Sequence, residues 1–320
     1  MLYFLLLLQP IFVILLLMRI SRREFLQQVL GIGVLVSSKS LFSDVSQKFL
    51  IPQERIDLLV ARGDSPEQTL RSAISSFGGI EKFVKKDSRV VIKPNAAWAR
   101  RPEQAATTNP ELLAAMVRIC LNAGARSVEI WDHTCDNPEI AFQRNGLKEA
   151  AEKAGAKVFP GNKKRDYQKI EIPKGKLMKS SLVLNSVLDA DVFINMPIAK
   201  THASTELTLS LKNLMGINWS MNSFHILGLS QSIADFSTAI KPNLIILDAT
   251  RILLTNGPQG PGKVKELKTI VVGTNPVSVD SYAATFFGKR GEEIEHIRLA
   301  SELGVGEIDL TKLAIKEITV

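Results

Sequence analysis

The chain reads as an α/β protein: a doubly wound, mostly parallel sheet with helices on both faces. Three observations predict this. Short apolar runs of strand type alternate with longer stretches of helical period. The helical stretches carry recognisable start and stop signals, and most of the apolar runs end in a polar or ionisable residue. Hydrophobic residues make up 45% and charged residues 22% of the 320 positions, a globular balance that excludes a disordered or fibrous chain.

Residues 1–43 read as a signal or anchor segment. Met1 to Leu17 is almost wholly apolar, yet shorter than the ~20 residues of a membrane crossing. Met18-Arg19-Ile20-Ser21-Arg22-Arg23-Glu24-Phe25-Leu26 follows. Its Ser-Arg-Arg-x-Phe-Leu core resembles the twin-arginine (Tat) export signal, with Val29 to Val36 as the apolar region. Such signals stand at a chain's start. Residues 1–17 are therefore either an over-extended start, with translation beginning at Met18, or a further membrane anchor. Ser37, Ser38, Ser40 and Ser43 supply small residues without an Ala-x-Ala site, so cleavage and retention both stay open. The plain alternative for Arg22-Arg23 is a solvated basic pair before an amphipathic helix. The signal reading predicts a protein exported across the cytoplasmic membrane, periplasmic or otherwise extracytoplasmic. Its partner would be the twin-arginine machinery, and it would touch the membrane through this segment only.

Residues 44–320 read as a single α/β domain. A strand is expected over Arg55–Ala61, and Ser65-Pro66 opens a helix to about Phe77. Arg89–Lys93 is the next strand. Thr108-Asn109-Pro110-Glu111 is a capping signature, followed by Leu112, Leu113, Met116, Val117, Cys120 and Leu121 at helical spacing up to Gly124. That spacing puts Cys120 in the core. Ser127–Trp131 is a strand, Glu139–Gly155 is helical with a break at Gly146, and Lys157–Phe159 is a strand. Lys163–Lys179 is basic and lacks helical period, as an inserted hairpin or excursion would. Asp191–Asn195, Leu244–Leu247 and Thr269–Val272 read as buried strands. Pro276–Phe287 and Glu292–Leu303 read as helices, and Ala314–Val320 as a closing strand. Leu207 to Gly216 fits both periods, so pattern alone leaves it undecided.

Charge and cysteine content exclude several function classes. Residues 1–43 contribute +3 of the net +8, leaving a mild +5 for the rest. Aromatic residues are only 6%, and no dense basic stripe with interleaved aromatics is visible, so no nucleic-acid partner is expected. Two cysteines cannot form a disulfide scaffold or supply the four thiolates of an ordinary iron–sulfur cluster. Asn256-Gly257-Pro258-Gln259-Gly260-Pro261-Gly262 lacks the Gly-Lys-Ser/Thr ending of a phosphate-binding P-loop and reads as a surface loop or a lid.

The chemistry is expected at the strand ends, because ligands of such sheets sit outside the carboxyl ends of the strands. Those ends read Lys93-Pro94-Asn95, Asp132-His133-Thr134-Cys135, Asn195-Met196-Pro197 with Lys200 and His202 beyond, Asp248, and Gly273-Thr274-Asn275. Turn chemistry explains one such ending but not all five. A cluster of ammonium and amide donors suits a carboxylate or phosphate. Crowded lysines depress one another's pKa, which can free an amine for base or Schiff-base work. Lys200, His202 and Lys212 are accordingly the candidate catalytic residues. Lys93, Asn95, Asn195, Asn213, Asp248 and Asp280 are the candidate substrate-binding residues. Asp235, Asp248 and Asp280 could gather a hard divalent cation such as Mg²⁺, or equally neutralise the lysines. No His-x-His or Cys-x-x-Cys spacing points to zinc. Cys135, at a strand end, is the one candidate reactive thiol.

Several of these runs resemble a known family. They are Ile92-Lys93-Pro94-Asn95, Asn195-Met196-Pro197-Ile198-Ala199-Lys200-Thr201-His202 and Leu211-Lys212-Asn213-Leu214-Met215-Gly216. Ile233-Ala234-Asp235, Asp248-Ala249, Gly257-Pro258 with Gly260, and Asn275-Pro276-Val277-Ser278-Val279-Asp280 add to them. The resemblance is to the family catalogued as domain of unknown function 362, and it spans about Arg89 to Gly306. It implies no established activity. Many members carry a ferredoxin-like module with cysteine-rich cluster motifs, which this chain lacks, so the resemblance implies no iron–sulfur cofactor here.

Two classes of function are expected from these residues. One is an exported enzyme acting on a small anionic substrate through a Lys/His/Asp site. The other is a non-enzymatic extracytoplasmic binding protein for an anionic metabolite or cofactor.

Overall fold

Alternation in the apolar runs decides how the sheet is covered. In Leu58-Leu59-Val60-Ala61, successive side chains point to opposite faces, and all four are fully buried. The strand is therefore covered on both sides, as a parallel sheet's interior strands are. The computed structural model describes residues 55–320, which form one compact unit. The twin-arginine segment expected in residues 1–43 lies outside them. No helix among the described residues is long and apolar enough to cross a membrane.

The strands are β1 (Leu58–Arg62), β2 (Arg89–Pro94), β3 (Ser127–Trp131), β4 (Lys157–Phe159), β5 (Tyr167–Glu171), β6 (Ser180–Leu184), β7 (Val192–Met196), β8 (Ile198–His202), β9 (Glu206–Thr208), β10 (Leu244–Leu253), β11 (Val264–Gly273) and β12 (Ile315–Thr319). The main sheet runs β12-β1-β11-β10-β7-β2-β3-β4, with β8 on β10 and β9 on β8. Pairings β1–β12, β10–β7, β10–β8, β7–β2, β2–β3 and β3–β4 are parallel. Strand β11 runs antiparallel to both neighbours, and β9 antiparallel to β8. The fold is α/β with a mostly parallel sheet, as expected.

Two main apolar cores form among the described residues, one on each face of the sheet. Leu59, Val90, Ile92 and Ile130 pack against Leu70 and Ala73 of helix Pro66–Ser76, and against Leu113, Met116 and Cys120 of helix Pro110–Asn122. Val91, Phe193, Ile245 and Leu247 pack against Phe236, Val279 and Ile297 from helices Leu229–Ala239, Pro276–Ala284 and Glu295–Glu302. Each of the Val, Leu, Ile, Phe and Met side chains among these contributes about 1.5–3 kcal/mol on burial. Asn109 caps helix Pro110–Asn122 as its signature predicted, its side chain accepting the Glu111 N–H at 3.0 Å.

The structure settles the elements that the sequence pattern left open. Residues 163–179 belong to a hairpin, because β5 pairs with β6. The ambiguous run 207–216 is both things in turn: β9, then helix Ser210–Asn213 and a 3-10 turn over Leu214–Ile217. Pro197 ends β7 but does not end extended structure. The chain restarts at Ile198 as β8, so Lys200 and His202 stand on a strand rather than in a loop.

Candidate functional site

Strand β2 delivers Lys93 and then Asn95 to the carboxyl edge. Lys93 is 1% exposed, and its Nζ lies 2.7 Å from Asp132 Oδ1, just beyond the end of β3. The ammonium also donates to the Pro94 carbonyl at 2.7 Å and to Asn213 Oδ1 at 3.2 Å. Three donors meet three acceptors, so this lysine is fully partnered. Burial pulls the Lys93 pKa down and pushes the Asp132 carboxyl up, while their pairing opposes both movements. Asp132 also accepts the Ala96 N–H at 2.6 Å, which ties the β3 end to the loop after β2. Gly216 leaves room for the pair: a Cβ there would stand 2.1 Å from Asp132 Oδ1 and 2.7 Å from Lys93 Cε.

An amide relay leads from this pair to the next lysine. Asn213 Oδ1 accepts from Asn95 Nδ2 at 3.0 Å, and Asn95 Oδ1 accepts from Lys200 Nζ at 3.3 Å. Thr108 pins the Asn95 backbone, accepting its N–H at 2.8 Å and donating onward to the Met196 carbonyl. Residues up to 120 positions apart in sequence are thus joined at one sheet edge.

Lys200 and Lys212 are built differently from Lys93. Both are buried, and neither has a carboxylate within 4 Å among the described residues. Lys200 donates only to neutral acceptors, Asn95 Oδ1 and the Ala106 carbonyl. Lys212 reaches only Met215 Sδ, at 3.3 Å. Desolvation therefore dominates. It lowers Lys200 to about 7 and Lys212 to about 8.

These side chains open on a cavity of about 730 Å³, lined by Lys93, Asn95, Lys200, His202, Lys212 and Asn213 among others. Among the described residues Asp132 is the only carboxylate in that lining, and it is paired with Lys93. The cavity is therefore cationic. His202 Nδ1 accepts the Ser204 N–H at 3.0 Å, which leaves the ring proton on Nε2. Burial first, then Lys212 and Lys200, push its pKa down to about 3, so the ring is a neutral donor. Cys135 also lines the cavity. It is exposed at the cavity rim, yet desolvation and then Asp132 raise its thiol against the pull of the two lysines, which does not suit the reactive role expected of it.

Other cavity residues were not among the named candidates, although His133 and Pro258 stand in runs already quoted from the sequence. His133 follows Asp132, donates from Nδ1 toward the Asn218 carbonyl at 3.1 Å and stacks on Trp219 at 5.4 Å. Trp98, Met221, His225 and Pro258 complete parts of the wall. Pro258 comes from the glycine-rich loop. A Cβ on the neighbouring Gly257 would stand 1.8 Å from the Thr201 carbonyl, so close approach to β8 explains that glycine.

Four carboxylates or amides expected at the site serve the scaffold instead. Asn195 sits behind the cavity, accepting from Asn213 Nδ2 at 2.8 Å and donating to Ser210. Asp248 does not line the cavity. Strand β10 runs on to Leu253, which places Asp248 mid-strand, where it accepts from the Asn109 N–H, Thr250 and Arg251. Asp280 is likewise outside, capping helix Ser210–Asn213 through the Ser210 and Leu211 N–H groups at 2.7 and 2.8 Å. Burial pushes that carboxyl up to about 8, with the two N–H bonds pulling back. Asp235 accepts from the Leu177 and Met178 N–H groups. Asp235, Asp248 and Asp280 therefore occupy three separate places and do not gather a cation. No group of three or more His, Cys, Asp or Glu suited to a metal occurs among the described residues.

The span from Lys93 to Pro258 that builds this cavity lies inside a match to a known family. The model described as domain of unknown function (DUF362) matches residues 90–285. The chain belongs to this family. A thylakoid-associated protein of Synechocystis sp. is 29% identical over 232 residues, 68% of this chain and 67% of that protein. Among solved structures, the lactate racemase apoprotein of Thermoanaerobacterium thermosaccharolyticum is 13% identical at a TM-score of 0.45, over 74% of this chain and 58% of that one. A Thermotoga maritima protein is 12% identical at a TM-score of 0.40, over 75% and 60% respectively. The chain thus spans under two thirds of either structural neighbour.

Proposed function

We propose that this DUF362 protein is an enzyme, exported by its twin-arginine signal, that moves a proton on a small carboxylate- or phosphate-bearing substrate. One observation carries the reading: two buried amines, Lys200 and Lys212, face one cavity with no carboxylate to neutralise them. Lys212, near 8, is mostly an ammonium at neutral pH and anchors the anion. Lys200, near 7, is present in both protonation states, as a general acid–base group requires. Its bonds to Asn95 and Ala106 engage two N–H groups and leave the remaining position of Nζ for an occupant of the cavity. His202 adds a neutral Nε2–H donor. A relative described as thylakoid-associated agrees with work at or beyond a membrane.

Incubation in D₂O with carboxylates and phosphate esters bearing an adjacent C–H tests the reaction class. Deuterium incorporation by the wild type, lost in Lys200→Arg with affinity retained, supports proton transfer. Tight anion binding with no exchange by any variant supports the alternative of a non-enzymatic binding protein.

A further inference from the structure

The cavity is far larger than its anion-binding end. At about 730 Å³ it falls among pockets that enclose drug-sized molecules, roughly 300–1,000 Å³. A lone carboxylate or phosphate would leave most of it to water. Its walls also hold two of the chain's three tryptophans, Trp98 and Trp219, in a chain otherwise poor in aromatic residues.

Trp219 is held as a rigid surface. His133 stacks on it with centroids 5.4 Å apart and planes 28° apart, and Tyr167 meets its edge at 5.3 Å and 62°. Each ring is anchored in turn: the Tyr167 hydroxyl donates to the Gly161 carbonyl at 2.6 Å, and His133 Nδ1 to the Asn218 carbonyl. Both Trp219 and His133 still line the cavity and are only partly buried. A fixed, partly open π-surface beside a cationic recess is the arrangement that takes a flat group by stacking and its acidic end by charge.

We infer that the natural ligand is an aromatic or heteroaromatic anion, its ring stacked on the Trp219–His133 wall and its carboxylate or phosphate at Lys200 and Lys212. This rests on the anion-binding reading of the same cavity and adds the chemical class of the rest of the molecule. Specificity then divides spatially. The lysines select for negative charge, and the aromatic wall selects for planarity.

Calorimetric titration of the full-length protein with 1-naphthyl phosphate, cyclohexyl phosphate and inorganic phosphate separates the two layers. The expected result is that 1-naphthyl phosphate binds roughly two- to tenfold tighter than cyclohexyl phosphate, in line with an aromatic pairing contribution. Trp219→Leu should erase that preference, and Trp219→Phe should restore most of it. If Trp219→Leu fails to fold, His133→Ala tests the same wall. Equal affinity for the two esters, or a preference that survives loss of the wall, overturns the inference and leaves the anion reading standing. Failure of all three phosphates to bind overturns the anion reading itself, and the inference with it.

Discussion

Lys93 and Asp132 form a buried ion pair at 2.7 Å, with side chains 1% and 2% exposed. The pair joins the ends of two adjacent parallel strands, and the amides of Asn213 and Asn95 carry its influence to Lys200. Breaking either half strands a charge in the interior. Lys93→Met and Asp132→Leu should each lower stability by about 3–5 kcal/mol. The double variant should recover much of that loss, because no unpaired charge remains. Urea denaturation of all three variants checks this; additive losses would show that the two residues do not act as a pair.

Gly216 is required by that pair rather than by its backbone conformation. Gly216→Ala should displace Asp132 or Lys93, since its Cβ would meet both within 3 Å. The expected cost is about 1–3 kcal/mol, as for other overpacked interiors. An unchanged melting temperature would mean that the loop yields without disturbing the carboxylate.

The lowered lysines predict a pH dependence of definite sign. Lys200 falls from 10.5 in the unfolded chain to about 7, and Lys212 to about 8. Between those values and 10.5 the unfolded chain binds more protons, so their contribution makes stability rise with pH. Lys200 acts from about 7 upward, and both act from about 8. Each contributes a slope of up to about 1.4 kcal/mol per pH unit. Lys200→Met should be more stable than the wild type at pH 7, by a margin that shrinks toward pH 10. Urea midpoints at pH 7, 8 and 9 measure it, and a margin that grows with pH would reverse the assignment.

Anion affinity should run the opposite way. Above pH 7 an incoming anion must first recruit a proton to Lys200, so sulfate binding should weaken by up to about tenfold per pH unit. Titration calorimetry at pH 6.5, 7.5 and 8.5 reads this directly; a flat profile would mean that Lys200 stays charged throughout.

Cys120 is fully buried in the helical core, and burial pushes its thiol up to about 12. Cys120→Ser places a hydroxyl in that apolar site. It should cost ~1–3 kcal/mol while leaving ligand affinity unchanged. Lost affinity at an unchanged melting temperature would tie Cys120 to function instead.

The export proposal has its own test. Arg22-Arg23 changed to Lys-Lys should leave precursor in the cytoplasm, because the receptor reads the arginine pair as a pattern rather than as charge. Cell fractionation shows the outcome, and normal export of the variant would point to another route.

Most strands and helices, and the polar residues that stand at the sheet's carboxyl edge, are legible in the amino-acid order alone. Local signals suffice for that: the cap at Asn109, the apolar run before Lys93 and the alternation within β1 are written in consecutive residues. They also sufficed to bring Lys93, Asn95, Lys200, His202, Lys212 and Asn213 together as candidates, since parallel strands end on one side. The remainder depends on contacts between distant parts of the chain. Pro197 reads locally as a break, and only pairing with the neighbouring β10 and β9 makes the next five residues a strand. The carboxylates of Asp132, Asp248 and Asp280 look alike in sequence, yet one pairs with a lysine at the cavity and two accept backbone N–H groups elsewhere. The stack of His133 on Trp219 has no local signature at all. A side chain's partner across the fold, and not its neighbours along the chain, determines whether it meets a ligand or holds the scaffold, because desolvation and pairing depend on what stands within a few ångströms in space.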